Sequence, residues 1–170
     1  MRILFTTLFV LFSLTACSSD VSNEELNEQA KKLLIDFHKA NYEVKKEDYI
    51  KTPDDFTAYI SVIQKKVTPY LTGKEIEYLD KESVGFIAAY LAYNDIFLTV
   101  EGIEITDFKR DTVSGSIDIS YKISLKNLAK NDVILGVAQV TLLPENETFK
   151  IDRYWDDFKI TQFINIKSDE

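Results

Sequence analysis

The hydrophobic period of this chain changes once, near Ile96, and that change fixes the order of its layers. Before it, apolar residues recur every three or four positions, at Leu26, Ala30, Leu33, Phe37, Ala40 and Val44. That spacing is one face of an α-helix. After it they recur every second position, at Val113, Ile117, Ile119, Tyr121, Ile123 and Leu125, with Ser114, Ser116, Asp118, Ser120, Lys122 and Ser124 interleaved. Such alternation is an antiparallel strand with one dry and one wet face, and the dry face needs a layer to cover it. Helices first and strands second give an α+β class rather than an alternating α/β one.

Local signals place the elements. Ser22 with Glu25 three residues on is a capping box, and it opens a helix over about 23–46 with a break near Asn41. Thr52-Pro53-Asp54-Asp55 starts a second helix, with Phe56, Tyr59, Ile60, Ile63 and Val67 inward. Pro69 interrupts it and Thr72-Gly73 ends the unit. Residues 74–80 predict one or two further turns with Ile76 and Leu79 inward. Phe86, Ile87, Tyr90 and Leu91 fit a helix over 83–93, although Gly85 and the aromatics also suit an extended segment.

Ile96, Leu98 and Val100 share one parity, while Ile103 and Ile105 share the other, so a β-bulge is expected at Glu101-Gly102. Asn127 to Asp132 is a polar turn. Val133 to Leu143 is apolar on both parities and predicts an interior strand covered on both faces. Pro144 to Glu147 turns the chain into a last strand through Phe149, Ile151 and Tyr154 to Trp155. Ile164 and Ile166 suggest an edge strand in the tail.

The N-terminus bears on location. Met1-Arg2 is basic, Ile3 to Leu14 is largely apolar, and Leu14-Thr15-Ala16-Cys17 precedes a polar stretch. An apolar run of about twelve residues is a secretory leader rather than a span, which needs about twenty. The four residues ending at Cys17 resemble the bacterial lipoprotein signal. The resemblance implies cleavage after Ala16, a diacylglyceryl thioether on Cys17 and a lipidated terminus. The expected organisation is a signal peptide at 1–16, a lipidated tether at 17–23 and a single α+β domain at 24–170. Partnership with a membrane would then run through the lipid on Cys17, placing the body on the extracytoplasmic face of a cell membrane. Cys17 is the sole cysteine, so lipidation leaves no disulfide.

Charge narrows the partners. The chain carries 20 basic and 28 acidic residues, a net −8. The leader's one charge is Arg2, so its removal makes the rest still more acidic. An acidic body argues against nucleic acid and against electrostatic docking on anionic lipid. Lys31-Lys32, Lys45-Lys46 and Lys65-Lys66 are isolated pairs among acids and form no basic patch.

The order of elements also resembles the cone-shaped fold of nuclear transport factor two-like and cystatin-like proteins. In that fold N-terminal helices precede a long, bent meander of about four strands. Here the meander ends in Tyr154-Trp155-Asp156-Asp157-Phe158. With the leader, the chain resembles small surface lipoproteins of low-GC Gram-positive bacteria. The resemblance implies a curved sheet wrapped on helices, with a pocket at the open end. Such pockets serve enzymes, ligand binders and plain interaction modules, so the fold does not choose among them.

Catalytic chemistry finds little support in the residues. His38 is the one histidine, and it lies off the expected apolar stripe, as a solvated helix residue would. Asp36 is two positions away and does not share its helix face. One histidine and a consumed cysteine exclude the usual zinc sets, and no Gly-rich loop offers a phosphate site. No cofactor is expected. Asp152, Asp156 and Asp157 form an acidic cluster that suits either a solvated strand end or paired acid-base carboxylates. Tyr90, Tyr93, Asp95, Trp155 and Asp156 are the candidate lining of a cone pocket, although such aromatics also suit a filled core. The expected function is a lipid-anchored, extracytoplasmic binding or interaction module without catalysis. Two alternatives stand beside it. One is a small-ligand binder or pocket enzyme with Asp95 or Asp156 as base and tyrosines as donors. The other is an immunity-type lipoprotein that binds an exported basic toxin.

Overall fold

A computed structural model describes residues 22–164 except 49, 80, 82 and 147. The leader, Cys17, most of the tether and the strand expected through Ile166 lie outside the described residues. Four helices come first: α1 (Asn23–Tyr42), α2 (Pro53–Val67), α3 (Gly73–Ile76) and α4 (Phe86–Tyr93). Four strands follow: β1 (Leu98–Arg110), β2 (Ile117–Asn127), β3 (Val133–Glu145) and β4 (Thr148–Asp156). They pair antiparallel in the order β1-β2-β3-β4, and a short helix α5 (Ile160–Ile164) closes the chain. The class is α+β, with helices on one face of an antiparallel meander.

Capping sets the helix starts. Ser22 Oγ accepts the Glu25 N–H at 3.2 Å and Thr52 Oγ1 accepts that of Asp55 at 3.2 Å. Thr72 does the same for Glu75 at 3.3 Å, so it opens α3 instead of ending a unit. Leu79 is buried as expected, whereas Ile76 is exposed. α1 stops at Tyr42, and Val44 leaves the helix to bridge Leu98 of β1. Helix, not extended chain, forms over 86–93. Gly85, at φ 87°, supplies the left-handed turn before it.

The buried face of α1 is rotated from the expected stripe. Leu26, Ala30, Leu34, Phe37, His38, Asn41 and Tyr42 point inward, while Leu33 and Ala40 are half-buried. Polar residues occupy the dry face because partners wait for them on the sheet.

β2 alternates as expected, with Ile117, Ile119, Tyr121, Ile123 and Leu125 fully or almost fully buried. Val113, at the head of the expected strand, is instead 96% exposed in a turn held by Asp111. The bulge at Glu101 is present between Val100 and Gly102, and a second slip follows between Ile105 and Asp107. Such breaks bend a strand, and β1 is an edge strand whose start is bridged by Val44.

β3 corrects the expectation of two covered faces. It lies between β2 and β4, but only Gly136, Ala138, Val140 and Leu142 are buried. Val133, Leu135 and Val137 face outward, with Leu135 62% exposed. The tail is also corrected: residues 160–164 form helix α5 rather than the start of a strand. Phe163 of α5 is fully buried and meets Phe158 at 6.0 Å between ring centroids. Burying apolar side chains outweighs edge pairing there.

Candidate functional site

Where α1 ends, β4 ends and the chain enters α4, a half-open cavity of about 330 Å³ forms. Asn41 and Tyr42 line it from α1, residues 83–85 and Ile87 from the approach to α4, and Tyr154, Trp155, Asp156 and Phe158 from β4 and its exit. Strand parity explains the β4 contribution. Tyr154 and Asp156 pair with Val140 and Ala138 on the inner face, so both look toward α1. Phe158 turns back over Gly136, where a Cβ would come within 2.5 Å of its ring. Ser83 and Gly85 are both left-handed, at φ 55° and 87°, and shape the opposite wall.

Asp156 is the centre of this site. Its Oδ2 accepts hydrogen bonds from the hydroxyls of Tyr42 and Tyr154, and its Oδ1 accepts the Phe158 N–H at 3.1 Å. Burial raises the carboxyl's pKa above the usual aspartate value, partly countered by the two tyrosine hydrogen bonds. Burial, reinforced by the Asp156 charge, pushes Tyr42 and Tyr154 well above the ordinary phenol range. Both therefore remain protonated donors. Among the described residues no Lys or Arg forms an ion pair with Asp156.

Behind the pocket lies His38, the largest departure from expectation. It is wholly buried, not solvated, and its Nε2 lies 2.7 Å from the Tyr121 hydroxyl. Phe37, Tyr42, Tyr121 and Tyr154 surround the imidazole with centroids at 5.2, 5.8, 5.5 and 5.7 Å. Among the described residues its Nδ1 has no hydrogen-bond partner. Burial lowers its pKa from 6.5 to about 3, so the ring is neutral near pH 7. A signal for this burial exists in the sequence: His38 and Asn41 share a stripe with Leu34 and Tyr42, four positions apart at each end.

The expected lining residues separate. Asp156 and part of Trp155 border the cavity, joined by Tyr42, Tyr154 and Phe158, which the sequence did not single out as lining. Tyr93 and Asp95 are exposed at the far end of α4, and Tyr90 is half-buried on that helix outside the cavity. The cluster of Asp152, Asp156 and Asp157 also divides. Asp152 pairs with Lys74 at 2.7 Å, and Asp157 Oδ1 accepts the Val137 N–H at 2.8 Å. The Asp157 charge still helps to raise the Asp156 pKa, and among the described residues no metal-ligating cluster occurs.

A second concavity of about 310 Å³ lies on the outer face of the sheet, bordered by Asp107, Asp118, Gln139, Arg153 and Trp155. Its charges are mixed and already engaged: Thr141 Oγ1 donates to Asp118 at 2.7 Å, and Lys109 pairs with Asp107 at 2.7 Å. Beside it run the exposed Val133, Leu135 and Val137.

No protein-family model and no curated protein matches the chain. Among solved structures it is similar to one titled "Ntf2 like protein involved in plasmid conjugation", at 14% identity and a TM-score of 0.45. That match covers 79% of this chain, which spans 50% of the length of the other. It is also similar to the NMR structure of "the putative transfer protein TraH from Gram-positive conjugative plasmid pIP501". There the identity is 13%, the TM-score 0.43, and the coverage 78% of this chain and 94% of that one. At these values the likeness extends to no site, ligand or role.

Proposed function

We propose that this protein is a lipid-anchored, extracytoplasmic binding module without catalysis of its own, and that the cavity around Asp156 is its binding site. The observation that carries this reading is a half-buried carboxylate, held by two tyrosine hydroxyls, lining a cavity of about 330 Å³. That volume suits a small molecule or a single side chain. Catalysis is not favoured: of the candidate bases only Asp156 lines the cavity, and the Tyr42 and Tyr154 hydroxyls expected as donors spend their protons on its carboxylate. His38 points into the core at Tyr121, and Asp95 is exposed away from the cavity. The anchor rests on the sequence at Cys17.

Screening small fragments by nitrogen-15 NMR against the full chain tests the site. Shifts gathered at Val84, Gly85, Ile87 and Phe158 are expected. Hits gathered on the outer sheet face and none at those four residues would overturn the assignment. A second reading, a module that docks a protein such as an exported toxin, is favoured by one observation: the apolar row Val133, Leu135 and Val137 open to solvent. The same screen separates the two.

A further inference from the structure

We propose that the cavity around Asp156 takes a small organic cation, an ammonium carried on an apolar body, with the Asp156 carboxylate as its counter-ion. This rests on the binding-module reading and names its ligand class. A half-buried carboxylate is commonly paired with a cation, because an uncompensated charge shielded from water is costly. Asp156 has none among the described residues. Every residue lining the cavity is neutral except Asp156 itself.

Hydrogen-bond inventory gives the same sign. A tyrosine has one proton to donate. Tyr42 and Tyr154 both direct theirs to Asp156 Oδ2, and the Phe158 N–H takes Oδ1. What the floor still offers a ligand is the remaining lone pairs of the carboxylate and of two phenol oxygens, which are acceptors only. A donor-rich cation satisfies them, and a carboxylate or phosphate does not. Asn41 and Ser83 on the walls are neutral and accept either sign. Val84, Ile87 and Phe158 supply the apolar wall that would hold the body of the ligand. The chain's net −8 favours cations over anions near its surface in general. A volume of about 330 Å³ is on the scale of a small molecule.

The test uses four probes of one shape class on the purified full chain: benzylammonium, benzyltrimethylammonium, benzyl alcohol and benzoate. The expected result is saturable shifts at Val84, Ile87 and Phe158 with one or both cations, at least tenfold tighter than with the alcohol or benzoate. Asp156→Asn is expected to erase that preference. Should Asp156→Asn unfold, Ile87→Lys carries the test, since it places an ammonium in the cavity without touching the hydrogen bonds of Asp156. It should weaken cation binding at least tenfold. Equal binding of alcohol, benzoate and cation at these residues overturns the proposal while leaving the binding site in place. So does unchanged cation binding in either folded variant. Absence of any shift with all four probes also overturns it, and the wider fragment screen then decides the site by itself.

Discussion

His38 couples stability to pH through its burial. Unfolded, it takes up a proton with a pKa of 6.5; folded, it does so only near 3. Below pH 6.5 the unfolded state binds more protons, so this stabilisation is complete above 6.5 and is lost as pH falls toward 3. Between pH 6.5 and 5 the loss is about 2 kcal/mol, at 1.36 kcal/mol per unit. Asp156, whose folded pKa is raised, acts in the opposite sense nearer the ordinary aspartate value. Urea melts at pH 7 and pH 5 should show the fall in the wild type and a flatter profile in His38→Gln. Equal profiles would remove His38 from the account. The sequence held half of this residue. Its helical phase was legible as an alternative stripe, but the hydroxyl that makes burial tolerable belongs to Tyr121, 83 residues away. Tyr154→Phe removes one donor from Asp156. It should cost about 1.5–3 kcal/mol in the same melts, the range for hydrogen bonds to charged groups.

At the scale of elements, β3 shows what a pattern can and cannot decide. An apolar run on both parities fits a strand covered twice and equally fits one whose outer side chains meet solvent. Only the layer count distinguishes them, and here all the described helices pack on one side. Val137→Thr should therefore shift stability by no more than about 0.5 kcal/mol, as surface changes do. A thermal midpoint several degrees lower would show that this face is covered in solution. Gly136, on the inner face of the same strand, behaves oppositely. A methyl there meets the Phe158 ring at 2.5–2.9 Å, and that ring is wedged against Tyr42 and Phe163. Gly136→Ala should cost about 1–3 kcal/mol as an overpacking change, read from the urea midpoint, and should shift the NMR signals of the cavity wall. β2 was legible almost to the residue because each position has one face and one environment. The cavity was not, because it needs the ends of α1, β4 and the approach to α4 brought together. Asp156 could be named from the sequence, but its partner Tyr42 lies 114 residues earlier.

In the whole molecule, the proposed anchor at Cys17 and the cavity around Asp156 are separable. Cys17→Ser should abolish palmitate labelling and release the protein from the membrane fraction, while thermal unfolding of the body is unchanged. Retained labelling would remove the anchor and leave the cavity untouched. With the proposed anchor at Cys17 in place, the acidic body would be repelled by anionic head groups. The measurement that bears most directly on the central claim is a carbon-13 titration of the Asp156 carboxyl in the full chain, with and without benzylammonium. The free protein should titrate above the usual aspartate value, and filling the cavity with the cation should bring the midpoint down. A midpoint at or below the usual value, or one that the amine leaves in place, would contradict the account.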